Sequence, residues 1–200
     1  MIPYSISKEE INELPLGQFE GKIHLIDHPE QIEEAVDYLV RQPMIGFDTE
    51  TKPSFKKGEF NHVSLLQLST LDHAFLFRLN KIGFPDAVRN LLEKENQVKI
   101  GAAVHDDLKA LRKLTQSFYP LSFFDLNDEL KKVGFHNVGV RNLSGMVLKI
   151  RISKSEQVSN WEAETLTEKQ QRYAATDAWA CLKIFNLLRE QGLLDELFNR

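Results

Sequence analysis

Two carboxylates one residue apart, Asp48 and Glu50, close an apolar run in IGFDTET (residues 45–51). On a strand, positions i and i+2 share a face, so both acids reach one point. Two carboxylates within a few ångströms repel each other and raise a pKa. A divalent cation between them removes that conflict. Oxygen donors with no cysteine nearby suit a hard ion, magnesium or manganese, rather than zinc. Alone, the pair also fits a solvated strand end or an ion-pair partner.

More acids follow downstream. GAAVHDDLKAL (101–111) sets Asp106 and Asp107 at a helix start, straight after a buried strand. Open α/β sheets carry functional groups at that position. An ordinary first-turn acid favoured by the helix dipole fits there too. In YAATDAWACLKIF (173–185), Tyr173 and Asp177 are four apart and share a helix face. Asp177 borders an apolar stripe of Ala174, Ala178, Cys181, Leu182 and Phe185. A Tyr–Asp hydrogen bond at the core boundary is the plain alternative.

The elements that must position these residues are legible from periodicity. GKIHLID (21–27) and MIGFDTE (44–50) read as strands, with an amphipathic helix over 28–42 between them. VSLLQLST (63–70) and HAFLFRL (73–79) read as a hairpin, reached through a polar turn region. A helix over 85–96 opens at Pro85, and QVKIGAAV (97–104) is a strand. Helices are expected over 105–114, over 123–135 with a stop at Gly134, and over 139–150. A polar loop (151–165) leads to a long helix within 166–192. Strands joined by short turns pair antiparallel, and the strand after the crossover helix lies parallel. The expectation is an α/β fold: a mixed sheet, three antiparallel strands followed by parallel strands, with helices on both faces. Residues 1–20 are expected as an N-terminal arm and 21–200 as one domain.

The chain has 200 residues, 42% of them apolar and 27% charged, as in a soluble globular domain. No apolar stretch approaches the roughly 20 residues needed to cross a bilayer. No basic segment followed by an apolar one marks the N-terminus as a signal peptide. The single cysteine, Cys181, excludes an internal disulfide framework, and the cytoplasm is the expected compartment. A net charge of −4 argues against a protein that coats nucleic acid electrostatically. The cations are nevertheless bunched: Lys52, Lys56 and Lys57; Lys109, Arg112 and Lys113; Lys131 and Lys132; Lys149, Arg151 and Lys154.

D-x-E, then D, then Y-x-x-x-D, in that order, resembles the DEDD 3′–5′ exonuclease superfamily in its tyrosine-bearing subtype. The likeness is to RNase D and the Werner-syndrome-protein exonuclease domain. SNWEAETLTEKQQRYAATDAWA (159–180), VSLLQLST (63–70) and LKIRISKSEQVSNW (148–161) resemble further family stretches, so that the likeness spans roughly residues 22 to 190. Thr165 departs from the proline that relatives commonly carry before Leu-Thr.

The resemblance implies an RNase H-like sheet and a hydrolase that removes nucleoside 5′-monophosphates from nucleic-acid 3′ ends. It implies two divalent cations, Mg²⁺ or Mn²⁺, about 3.5–4 Å apart. The catalytic set it implies is Asp48, Glu50, Asp107, Tyr173 and Asp177. The four acids are its metal ligands: Asp48 bridges both ions, Glu50 and Asp177 complete one shell, and Asp107, preferred over Asp106, acts through water. Thr51 is expected on the terminal nucleotide, and Trp161 is expected to pack rather than stack a base. DNA is slightly favoured as substrate. RNase D-like RNA trimming and a non-catalytic nucleic-acid-binding protein of the same fold are the alternatives. No membrane is expected as a partner. A protein that targets the enzyme to its substrate is one possible partner.

Overall fold

The computed structural model describes residues 2–56, 58 and 60–195. Its sheet has six strands: β1 (Lys22–Ile26), β2 (Met44–Thr51), β3 (Val63–Ser69), β4 (His73–Phe77), β5 (Val98–Gly101) and β6 (Phe123–Asp125). Their spatial order is β1-β4-β3-β2-β5-β6. β2, β3 and β4 pair antiparallel, and β5 and β6 continue the sheet in parallel with β2. β1 lies parallel to β4 at the far edge. The helices are α1 (Lys8–Glu13), α2 (Ile32–Leu39), α3 (Leu79–Ile82), α4 (Asp86–Leu92), α5 (Val104–Arg112), α6 (Leu126–Lys132), α7 (Val140–Leu143) and α8 (Glu168–Glu190). A π-helical turn, Ser144–Leu148, continues α7. The mixed sheet with helices on both faces is the one expected.

Strand alternation sorts the core. Ile45 and Phe47 of β2, with Leu66 and Leu68 of β3, pack with Leu39 of α2, Leu92 of α4 and Leu111 of α5. Leu65, Leu76 and Ile100 pack on the other face with α6, α7 and the small and aliphatic residues of α8. Gly46, Asp48 and Glu50 therefore face α8, and Thr49 faces the opposite way.

Three stretches differ from the sequence expectation. Leu79, read as the end of a strand, opens α3. Phe123–Asp125, read as the start of a helix, is strand β6, and the helix begins at Leu126. The Asp125 carboxylate explains the switch. It accepts from Asn127 N (2.8 Å) and Asp128 N (3.4 Å) at the start of α6, and from Ala103 N (3.0 Å) and Val104 N (2.8 Å) at the start of α5. One acid caps two helices, and an N-cap residue holds an extended backbone. The stretch read as an arm, residues 1–20, contains α1, started by a reciprocal Ser7–Glu10 cap. Ile2, Ile11 and Phe19 are buried, and Phe19 N donates to Thr176 Oγ1 of α8 at 3.0 Å.

α8 starts at Thr167, whose hydroxyl accepts from Gln170 N while the Gln170 side chain accepts from Thr167 N. It lies across β2, β3, β4 and β5. At its closest point the backbone of Ala178 meets Gly46: a Cβ on Gly46 would stand 2.0 Å from the Ala178 carbonyl oxygen. No side chain fits there. Gly46→Ala must push the helix off the sheet, an overpacking cost of about 1–3 kcal/mol or more. A denaturant titration is expected to show that loss, and the same variant is expected to lose divalent-cation binding. Wild-type stability in Gly46→Ala would show that the helix does not depend on this approach.

Candidate active site

β2 delivers Asp48 and Glu50 to the α8 face, and the close approach at Gly46 brings Asp177, one residue before Ala178, against them. One carboxylate oxygen from each of Asp48, Glu50 and Asp177 lies within 4.8 Å of the others. Asp177 is 8% exposed, and the two strand acids are half-buried. Register with β3 shifts between Glu50 and Thr51, so the sheet is irregular where the acids end. Thr51 sits just past that point, half-buried at the rim.

Asp107 stands apart from this group of three. It comes from the first turn of α5, on the opposite face of the sheet, and accepts a 2.5 Å hydrogen bond from Thr49 Oγ1. Thr49 points there because it alternates with Asp48 and Glu50. Asp107 remains close enough to raise the pKa of both Asp48 and Glu50. Its exposed neighbour Asp106 has no hydrogen bond or ion pair among the described residues.

The electrostatics are those of anions lacking a counterion. Burial, then Asp177, Asp107 and Glu50, push Asp48 well above the usual carboxylate range. Burial, then Asp177 and Asp107, push Glu50 up to about 9. Burial lifts Asp177 to about 7, partly offset by the Tyr173 hydroxyl, and lifts Asp107 to about 6, partly offset by Thr49. Burial and the neighbouring acids also push up the Tyr173 phenol, which stays protonated. Three hard oxygen donors gathered at such cost fit a divalent cation of the magnesium or manganese kind.

Tyr173 rests on Trp161, with ring centroids 6.0 Å apart. Trp161 is fully buried and packs, as expected, rather than offering a face to a base. The loop that carries it is held by residues the sequence reading did not single out. The buried Arg78 guanidinium donates to the Glu164 carbonyl (2.8 Å) and to the Ala163 carbonyl, and Gln170 Nε2 donates to Ser159 Oγ (2.7 Å). The sequence shows only an arginine near the end of an apolar strand, and its burial demands the partners that the structure supplies.

Two grooves meet at Tyr173 and Asp177. One, of about 640 Å³, is lined by Lys8, Arg141, Asn142 and Lys154, and the other, of about 470 Å³, by Gly17, Ser153, Lys169 and Arg172. Of the bunched cations Lys149, Arg151 and Lys154, Lys154 lines the larger groove and the other two line neither. Lys8 of α1 and Arg141 of α7 join it unexpectedly. Lys52 pairs with Glu162 at 3.1 Å, and Lys57 lies outside the described residues.

A model of the 3′-5′ exonuclease family matches residues 23–192. This chain belongs to the 3′-5′ exonuclease family. The Exonuclease mut-7 homolog of Aedes aegypti is 29% identical over 196 residues, 86% of this chain and 27% of that protein. The mouse bifunctional 3′-5′ exonuclease/ATP-dependent helicase WRN is 33% identical over 164 residues, 78% of this chain and 11% of that protein. The chain thus spans about a quarter of the length of the first relative and about a tenth of the second. Among solved structures, the Aedes aegypti Nibbler EXO domain superposes with a TM-score of 0.80 at 26% identity, covering 90% of this chain and 94% of that one.

The clustered acids dictate a pH dependence in this exonuclease-family chain. Folded Asp107, Asp177 and Glu50 keep their protons to about 6, 7 and 9, against ordinary values of 3.8, 3.8 and 4.5. The stability that these protons lend is therefore complete below the ordinary values and is lost as pH rises through the folded ones. In EDTA the thermal midpoint is expected to fall between about pH 4 and pH 9, and Mg²⁺ or Mn²⁺ to raise it most at the alkaline end. A midpoint indifferent to metal across that range would contradict the electrostatic assignment.

Proposed function

We propose that the chain is a divalent-metal-dependent 3′–5′ exonuclease that releases nucleoside 5′-monophosphates from nucleic-acid 3′ ends. The observation that carries this reading is the convergence of Asp48, Glu50 and Asp177 within 4.8 Å beneath the protonated Tyr173. Water attacks the terminal phosphorus in line, the bond from phosphorus to the 3′ oxygen breaks, and that oxygen takes a proton. Two cations, Mg²⁺ or Mn²⁺, supply when bound the positive charge that offsets the negative charge developing on the phosphoryl group. Asp48, Glu50 and Asp177 hold them, with Asp107 contributing from its flank of the site. Tyr173 has no use as a base with its pKa driven upward, so it serves as a donor that orients the attacking water. Thr51, at the rim, hydrogen-bonds the terminal nucleotide. The groove with Lys8, Arg141 and Lys154 receives the backbone, and this predicts a modest salt dependence of affinity.

DNA is the substrate we favour, from the Werner-like spelling of the acidic motifs and the flanking stretches. RNA trimming is the second reading, since the same motifs resemble RNase D. Targeting by a protein partner and a cytoplasmic location complete the proposal. The latter rests on Cys181 being the chain's single cysteine.

The test offers 5′-labelled single-stranded DNA, recessed-end duplex DNA and RNA of matching sequence, with Mg²⁺, Mn²⁺ or EDTA. A metal-dependent ladder shortening from the 3′ end is expected. Asp48→Ala is expected to abolish it, and Tyr173→Phe to leave a measurable residual rate. Equal losses in the two variants would defeat the orienting role of Tyr173. Binding without any ladder would leave the non-catalytic reading.

A further inference from the structure

Between β2, which ends at Thr51, and β3, which starts at Val63, the described residues 52–56, 58 and 60–62 form a loop. The loop is tied at its base, where Asn61 Nδ2 donates to the Lys52 carbonyl at 2.9 Å and Lys52 pairs with Glu162 across the site. Ser54 Oγ donates to the Lys56 carbonyl at 3.2 Å, and Gly58 turns the tip with φ +87°. Phe55 and Phe60 flank that tip, and each is 85% exposed. The other described phenylalanines are buried or half-buried. Neither exposed ring stacks on another aromatic side chain among the described residues. Lys56, between them in sequence, is exposed and has no carboxylate partner among those residues.

Scattered exposed apolar residues are ordinary, but two phenylalanines with a lysine between them, on one loop leading out of an acid cluster, call for an occupant. The same strand that carries Glu50 runs on into the loop. Phe55 is five residues further, a reach of at most about 18 Å. That reach is within the span of the first few nucleotides of a strand whose end lies at the acids. A nucleobase has a flat apolar face that stacks on phenylalanine whatever its identity, and its phosphate suits Lys56.

We infer that Phe55 and Phe60 form a base-stacking platform for a single-stranded segment whose 3′ end lies at Asp48, Glu50 and Asp177, with Lys56 against its phosphates. This rests on the exonuclease reading and adds to it a substrate form. Bases paired within a duplex do not offer their faces, so the platform selects single-stranded or frayed 3′ ends over blunt ones.

The test measures binding in EDTA, where no hydrolysis is expected to intrude. The probes are a 5′-labelled twelve-nucleotide single strand, an abasic strand of the same length and a blunt duplex. Phe55→Ala/Phe60→Ala is expected to weaken single-strand binding about tenfold, the factor given by about 1.4 kcal/mol of lost stacking. Its affinity for the abasic strand is expected to be that of the wild type. Phe55→Trp/Phe60→Trp is expected to keep tight binding, and its added indole fluorescence to be quenched by the base-bearing strand and not by the abasic one. Unchanged single-strand affinity in the alanine variant would overturn the inference and leave the two rings to a protein partner. Equal losses on the base-bearing and abasic strands would also overturn it, by showing a role in loop shape alone. Turnover of a dinucleotide with Mg²⁺ by the wild type and by Phe55→Ala/Phe60→Ala reports separately on the exonuclease reading, because the acids and not the rings carry the chemistry.

Discussion

Helix α8 can lie on β2 only because residue 46 has no side chain. The Ala178 carbonyl oxygen occupies the space a Cβ would need. Small residues on the helix, Ala174, Ala175, Ala178 and Cys181, are buried on the same side and permit the approach. The convergence of three acids follows from that contact. It sets Asp177 beside two acids that β2 already aims the same way, and it sets Tyr173 one turn earlier, over the cluster. Movement of the helix by the width of a methyl group would separate the carboxylates that need to share an ion.

The cluster is held together against its own repulsion. Burial raises the pKa values of Asp48, Glu50 and Asp177, and the charge of neighbouring acids adds to the rise at Asp48 and Glu50, so the folded chain without a cation is strained at neutral pH by the groups it most needs. The stabilising forces lie elsewhere: two apolar layers on either side of the sheet, the double cap at Asp125, and the buried Arg78 that fixes the loop under Tyr173. A functional site that is locally unfavourable and supported from a distance is a common arrangement. Here the support is spread over segments that join the site only in the folded chain, including α1, which contributes Lys8 to a groove wall.

Much of this was legible in the sequence, for local reasons. Period-two alternation placed Asp48 and Glu50 on one face, and four-residue spacing placed Tyr173 with Asp177. An apolar stripe marked a long helix within 166–192, where α8 occupies Glu168–Glu190. Contacts between segments distant in sequence were not legible. Thr49 reads as a spacer between two acids, yet its hydroxyl holds Asp107 on the far face of the sheet. Arg78 reads as the end of a strand, yet it is buried and bonded to a loop far along the chain. β6 has three residues, too few for periodicity to separate it from the helix it precedes. Ser7 and Glu10 did carry a local signal, a reciprocal helix cap, within the stretch read as an arm.

The central claim is that Asp48 and Asp177, far apart in the chain, act as one cation site because α8 presses against Gly46. A calorimetric Mn²⁺ titration of the wild type, Asp48→Asn, Asp177→Asn and the double variant tests it most directly. Each single variant is expected to lose most of the affinity, and the double variant to lose little more than either, because the two groups share one site. Losses that simply add, each carboxylate contributing independently of the other, would contradict the account.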